Sequence, residues 1–490
     1  MVREWRRAPL PPGPRGLPFV GNVRDWPEIG DQPKVFAEWA KKYGPVVHVC
    51  VMGQPFVLLN TWTAAHDLMT RRSENYSDRH CNTLIHDDKL SGYGGWHLPM
   101  MPYGAKWRVF RKHFHSLFRI QEVEPMRPAI LDLSSEFLHH LRNTPNDFRQ
   151  LIRSYTAKSI SKFVFSHDQP LNTEDPYLTL NDELMAEFNG YFFGNVFLVD
   201  VFPFLKHIPA SWPGAGFKRF AIQHKKKVQD LIDGLHNRLQ LAIANGTAEP
   251  CMVTRSMEKA AQATGVVSAA EEQLIKCNAM LSYAAGTDTS ASVLANFFLC
   301  MSMYPEVQKK AQEEVDRVTG GTRLPDFEDR EALTYISAVL LESIRWHAPG
   351  PVSIPHKSVK EDIYMGYRIP AGSVILGNVA EITHSTDFYE NPSEYQPARF
   401  LDANWQIIPE LEVPIQDAFG FGRRVCPGRH LALESMWILM ARIIATHNIG
   451  KELDANGKEI EPVIKFTGGV TTHPEPYGCH ITARGKIQVD

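Results

Sequence analysis
The run from Glu271 to Tyr304 constrains the fold most. It is helical in character throughout and is stopped by Pro305. About 33 residues at roughly 1.5 Å each make a rod of about 50 Å, long enough to cross a whole domain. Asp288 and Asn296 in its middle argue against a membrane span. So do the poor helix formers Gly286, Thr287, Thr289 and Ser290. Such a local conflict with helix propensity tends to mark a functional site. The plainer alternative is a threonine bonding back to a carbonyl and bending a core helix.

A second stretch lies near the C-terminus: Ala418-Phe419-Gly420-Phe421-Gly422-Arg423-Arg424-Val425-Cys426-Pro427-Gly428-Arg429. The run from Leu431 to Met440 behind it reads as a buried helix, so Cys426 sits at a helix mouth. Free N–H groups and the helix dipole there favour an anion. A thiol so placed is biased toward thiolate, the metal-binding form. Gly422 and Gly428 permit a tight backbone that turns N–H groups toward the sulfur, and Arg424 adds positive charge. A buried structural cysteine is the alternative. The seven cysteines are scattered and form no C-x-x-C pair, which excludes a disulfide scaffold or zinc ribbon and suits a reducing compartment.

The spacing Phe419-x-x-Gly422-x-Arg424-x-Cys426-x-Gly428 resembles the haem-binding loop of the cytochrome P-450 monooxygenases, and all five fixed positions match. The resemblance extends over nearly the whole chain. It implies a mainly α fold with a smaller β region, and haem b between the long central helix and the cysteine loop. Cys426 would be the axial thiolate of the iron. Ala285-Gly286-Thr287-Asp288-Thr289-Ser290 is similar to the family's oxygen-activation motif. There Gly286 would leave room for dioxygen, Thr289 would offer its hydroxyl and Asp288 would relay protons.

Trp107 and Arg111, one helical turn apart and so on one face, resemble the pair that meets a haem propionate. His356 falls where relatives place a basic residue on a propionate. Glu-x-x-Arg occurs four times, at Glu4/Arg7, Glu124/Arg127, Glu314/Arg317 and Glu342/Arg345. Only the last lies in an apolar helix at a family-like distance before Cys426. It resembles a structural pair that Arg399, in Pro397-Ala398-Arg399-Phe400, would complete.

The rest of the chain is quieter. A net charge of −3 and no basic stripe leave no case for nucleic acid. Residues 1–30 read as a basic opening and a proline-rich, extended hinge from Pro9 to Pro18, and 31–490 as one haem-thiolate domain. In microsomal members such a hinge follows a membrane helix. Here the helix is missing, as expected if an anchor was trimmed or if this member is soluble. With an anchor, the resemblance implies the cytosolic face of the endoplasmic reticulum membrane.

A helix over 33–43, a hairpin over 45–60 and a helix over 63–72 open the domain. Short strands fall between 349 and 379, and a Gly-Gly hairpin over 466–473. The glycine-rich loop 80–104 would roof a substrate pocket. Phe197–Pro209, too short and interrupted to span a bilayer, would lid the pocket and touch the membrane surface, or simply pack between helices.

The resemblance implies a fungal, secondary-metabolite-tailoring monooxygenase. It would insert one oxygen atom from O2 into a hydrophobic small molecule, a terpenoid or an aromatic alkaloid. Electrons would come from NADPH through a separate reductase, met by a basic patch of Lys106, Arg108, Lys112, Arg423 and Arg429. The alternatives are a haem-thiolate isomerase or dehydratase on the same fold, and a non-catalytic haem protein that binds a gas.

Overall fold
The structure, a computed structural model, describes residues 8–28, 30–80, 82–93, 95–171, 173–190, 197–485 and 487. The basic opening 1–7, Cys81, Gly94 and Val196 lie outside them.

Helices of eight or more residues are α1 (Gln32–Tyr43), α2 (Ala105–Phe118), α3 (Arg127–Asn143), α4 (Phe148–Phe165), α5 (Pro176–Asn189) and α6 (Gly216–Ala244). They continue with α7 (Met252–Thr264), α8 (Ala269–Met303), α9 (Pro305–Thr319), α10 (Thr334–Trp346), α11 (Pro409–Gln416) and α12 (Arg429–Thr446). The strands are β1 (Val46–Val51), β2 (Gln54–Leu59), β3 (Asp78–Arg79), β4 (His356–Lys357), β5 (Asp362–Tyr364), β6 (Tyr367–Ile369), β7 (Val374–Gly377), β8 (His447–Lys451) and β9 (Cys479–Ala483).

The long helix α8 has 35 residues and begins two residues earlier than its apolar pattern suggests. Ser268 caps it: its hydroxyl accepts from Glu271 N, and Glu271 Oε2 accepts from Ser268 N at 3.0 Å. These reciprocal bonds satisfy two donors that would otherwise be orphaned. At the other end Tyr304 leaves the helix and Pro305 starts α9, where a missing N–H costs nothing. Most of α8 from Ile275 to Ser302 is buried, but Gly286, Thr289 and Ser290 lie on the less buried stripe at its middle, so the helix is held there by the packing of the turns on either side. It packs against α4, α10 and α12 in one large apolar core.

The hairpin β1–β2 pairs antiparallel from Val46–Leu59 to Val51–Gln54 and opens a five-stranded sheet ordered β1-β2-β7-β4-β3. β7 joins β2 in parallel, so the sheet unites strands about three hundred residues apart in the sequence. The proline-rich stretch is extended, as expected, but it is laid against the sheet. His48 N donates to Pro12 O, Met52 N to Val20 O, and Arg368 N to Pro9 O.

Three local expectations need revision. The helix over 63–72 is one α turn, Trp62–Ala65, followed by a π turn, His66–Arg71. Strand structure before β5 shrinks to His356–Lys357, because the preceding prolines cannot donate to a ladder. Residues 466–473 form a loop closed by a single bridge from Phe466 to Pro474, with Thr467 N donating to His473 O.

Candidate active site
A cavity of ≈ 340 Å³ lies between α8 and the cysteine loop. Trp107 and Arg111 from α2, Ala285, Gly286 and Thr289 from α8, and Cys426 all line it. Its remaining walls are largely apolar, with Phe114, Ile160, Leu281, Val293, Leu294 and Val470 among them.

Cys426 is anchored through its own N–H, which donates to Phe419 O at 2.6 Å. Its sulfur receives the backbone N–H groups of Gly428 and Arg429 at the start of α12. Burial pushes the thiol above its ordinary pKa, against the pull of those N–H groups and of Arg111 and Arg429. A helix mouth alone therefore does not ionise the free thiol; a bound metal cation would. The nearby positive charge comes from Arg111 and Arg429 rather than from Arg424, as the sequence suggested. Arg424 donates to Ser77 O, Leu98 O and Met101 O and stacks over the Trp107 ring at 4.6 Å. Burial first of all lowers its pKa to about 10.

The loop's backbone demands fall on Gly420 (φ 92°) and Gly422 (φ 51°). A Cβ at Gly422 would sit 2.4 Å from Met69 O in the π turn. Gly428, at φ −84°, needs no such freedom, and a Cβ there would lie 4.0 Å from the Cys426 sulfur.

On α8, the Thr289 hydroxyl faces the cavity and donates to Ala285 O at 2.9 Å. Gly286 and Asp288 each make a further contact here. The space left by Gly286 is taken by Ile160 of α4, whose Cδ1 would lie 2.7 Å from an added Cβ. That glycine serves the approach of two helices and also lines the cavity. Asp288 does not line the cavity, because one residue step turns the side chain by about 100° around a helix. Its carboxylate accepts from Arg153 Nη1 and His473 Nε2, each at 3.0 Å. Arg153 reaches on to the more exposed Asp182. Burial would raise the Asp288 pKa, but His473 and Arg153 hold it below the usual carboxylate range.

At the other rim, Trp107 Nε1 is buried with no hydrogen-bond partner. Three buried or half-buried guanidiniums, Arg79, Arg111 and Arg424, face the same cavity. Asp417 is the one acid on this wall among the described residues, and burial pushes its carboxyl up to about 8. An orphaned donor beside surplus cations fits a bound dianion.

His356 lines the cavity, but its Nδ1 bonds to Tyr76 O at 2.7 Å. Burial, with help from Arg79 and Arg424, drives its pKa well below the ordinary value. Nδ1 must then hold the hydrogen, and the neutral ring offers Nε2 only as an acceptor. The cationic role expected of His356 is not visible here. Sequence reasoning missed Arg79, which donates to Pro99 O, Ile354 O and Pro355 O. The signal was an arginine just outside a glycine-rich loop, and nothing local distinguished it from a surface residue.

Glu342, Arg345 and Arg399 do meet. Arg345 makes a two-pronged pair with Glu342 at 2.5 and 2.9 Å, and Arg399 Nε reaches Glu342 Oε1 at 3.3 Å. Glu342 and Arg345 are wholly buried.

A description of the Cytochrome P450 family matches residues 11–480. The chain belongs to the cytochrome P450 family. A cytochrome P450 monooxygenase of Armillaria gallica is 37% identical over 486 residues, covering 98% of this chain and 93% of its own. Cytochrome P450 monooxygenase claR of Ampulloclitocybe clavipes is 38% identical over 490 residues, covering 98% and 87%. Cytochrome P450 monooxygenase 136 of Postia placenta is 36% identical over 486 residues, covering 98% and 90%. This P450 is thus a monooxygenase with fungal relatives. Its family binds haem through a cysteine thiolate. The donor set tested above fits that group, with a lone sulfur on one side of the slot and surplus cations with a free indole N–H at its rim. Among the described residues of the P450, no helix is long and apolar enough to cross a membrane.

Proposed function
We propose that this P450 oxidises a hydrophobic secondary metabolite, a terpenoid or an aromatic alkaloid, with electrons from NADPH passed on by a separate reductase. The observation that carries this reading is the apolar wall of the cavity between Thr289 and Cys426. Such a wall rewards removal of apolar surface from water at about 25 cal/mol per Å². Haem, when bound, supplies the chemistry that splits dioxygen and places one atom on the substrate. The balance is one substrate C–H bond, one O2, two electrons and two protons giving one C–OH and one water.

The chain's own residues do the rest. Cys426 holds the iron from the α12 side, its sulfur supported by the Gly428 and Arg429 N–H groups. Phe419, Gly422 and Gly428 shape the loop around it. Trp107, Arg111, Arg424 and Arg79 hold the propionates, with His356 packed among them. Thr289 holds a proton on the cavity side of α8. Asp288, one step behind it and ionised, would relay protons toward it, and must loosen from Arg153 or His473 to reach forward. Glu342, Arg345 and Arg399 keep the fold closed and the haem retained. Residues 31–490 act as one haem-thiolate domain.

Lys106, Arg108, Lys112 and Arg423 are exposed and Arg429 half-exposed, a basic surface suited to an acidic reductase. Leu198, Phe202, Phe204 and Trp212 are 66%, 45%, 67% and 58% exposed. With Lys206, Lys218 and Arg219 alongside, they suit contact with the surface of the endoplasmic reticulum membrane.

The test is turnover of candidate terpenoids and alkaloids with NADPH and reductase under isotopically labelled dioxygen. One labelled oxygen atom per product, absent without NADPH, is the expected result. Product that forms without NADPH and carries no label would contradict it and favour an isomerase or dehydratase.

A further inference from the structure
A second cavity of ≈ 110 Å³ lies at the C-terminal end of α2, among the ends of α2, α3, α4 and α7. It shares two residues with the main cavity: Phe118 and Phe163 line both. The two cavities therefore meet at these two aromatic residues. Both rings are more than nine-tenths buried. Phe118 is the last residue of α2, where helical hydrogen bonding ends, and its ring leans on Phe114 at 5.0 Å. Phe163 sits two residues before the end of α4.

The two chambers differ in character. The outer one has charged groups at its mouth, Lys162, Glu249, Arg255 and Lys259, so it is wetted. The inner one contains the Tyr155 hydroxyl, buried and without a hydrogen-bond partner. A buried hydroxyl left unpaired is destabilising, and an ordered water is the usual remedy. Ser159, Ser282 and Ser435 line the same chamber; each hydroxyl donates to a carbonyl of its own helix and keeps its oxygen able to accept from water. Both sides of this aromatic junction thus suit water, while the junction itself is apolar.

We propose that Phe118 and Phe163 are the gate of a second passage into the main cavity, carrying water and small gases between it and the α2–α4–α7 face. Anything larger must use another route, because the outer chamber is too small for a hydrophobic metabolite. Rotation of either ring about χ1 or χ2 opens the wall without moving a helix, on the timescale of side-chain motion. The passage sets how wet the inner chamber is when a substrate fills the rest.

The inference rests on haem filling the main cavity, and the test separates the two ideas. Carbon monoxide binding to the reduced holoprotein is followed after flash photolysis in the wild type, in Phe163→Ala, and in Phe163→Ala combined with Lys259→Trp. The single variant should bind about tenfold faster, the change that a barrier lower by about 1.4 kcal/mol makes. The second substitution plugs the outer mouth and should return the rate to near the wild-type value. A general loosening of the fold would not be reversed by a plug at the surface. Unchanged rates in Phe163→Ala, or a double variant as fast as the single, would overturn the passage. The Soret band of the carbon monoxide complex, read in the same samples, reports on the haem independently of either rate.

Discussion
Asp417 is acid in an awkward place: 8% exposed, with Oδ2 unpartnered, on the wall of the main cavity. Burial raises its pKa from 3.8 to about 8, so the folded protein keeps a proton there that the unfolded chain gives up near pH 4. The folded state binds more protons across that window, and stability falls as pH rises from about 4 to about 8. Asp417→Asn copies the protonated form. Its thermal midpoint should match wild type near pH 3–4 and exceed it increasingly up to about pH 8. Parallel pH profiles for the two proteins would show that the carboxyl finds a partner. Thr289 and Asp288 make the companion point. Adjacent residues in one motif face different worlds, a cavity for the first and an ion-pair network for the second. The motif names the two residues as a pair, but a one-residue step around a helix decides which one touches the cavity.

Among the elements, α8 and the cysteine loop were legible because their chemistry is local. A proline stop and glycines flanking one cysteine are each written within a few residues, whereas the capping box at Ser268 went unread and cost the helix its first residues. The π turn His66–Arg71 was not, since it answers to Gly422 more than three hundred residues away. Nor was Arg79, whose three carbonyl partners come from two distant loops. Loop 80–104 is fastened in a way no motif announces: the Tyr93 hydroxyl meets His224 Nε2 of α6 at 2.9 Å, and His224 Nδ1 meets Glu187 of α5 at 2.5 Å. The helix α10 is tied to the segment after it by Glu342, which also accepts from Gln396 N at 2.6 Å. Removing its charge strands Arg345 in the core, where its other partners are the carbonyls of Thr383, Pro392 and Glu394. Glu342→Gln should therefore cost about 3–5 kcal/mol, read as a lowered urea midpoint and a lower haem-to-protein ratio. A variant with wild-type midpoint and full haem would show that backbone bonds alone hold this corner.

At the scale of the molecule, the large core formed by α4, α8, α10 and α12 and the five-stranded sheet hold α8 and the cysteine loop on opposite sides of one slot. Their separation in sequence is long, so only the assembled fold makes a site of them. The claim that depends on all of it is that Cys426 binds haem iron as thiolate. Its most direct test is the difference spectrum of the reduced, carbon-monoxide-bound protein, wild type against Cys426→Ala. The account predicts a far red-shifted Soret band in the wild type that is lost in the variant. A band at the position of imidazole-ligated haem, unchanged by the substitution, would contradict it.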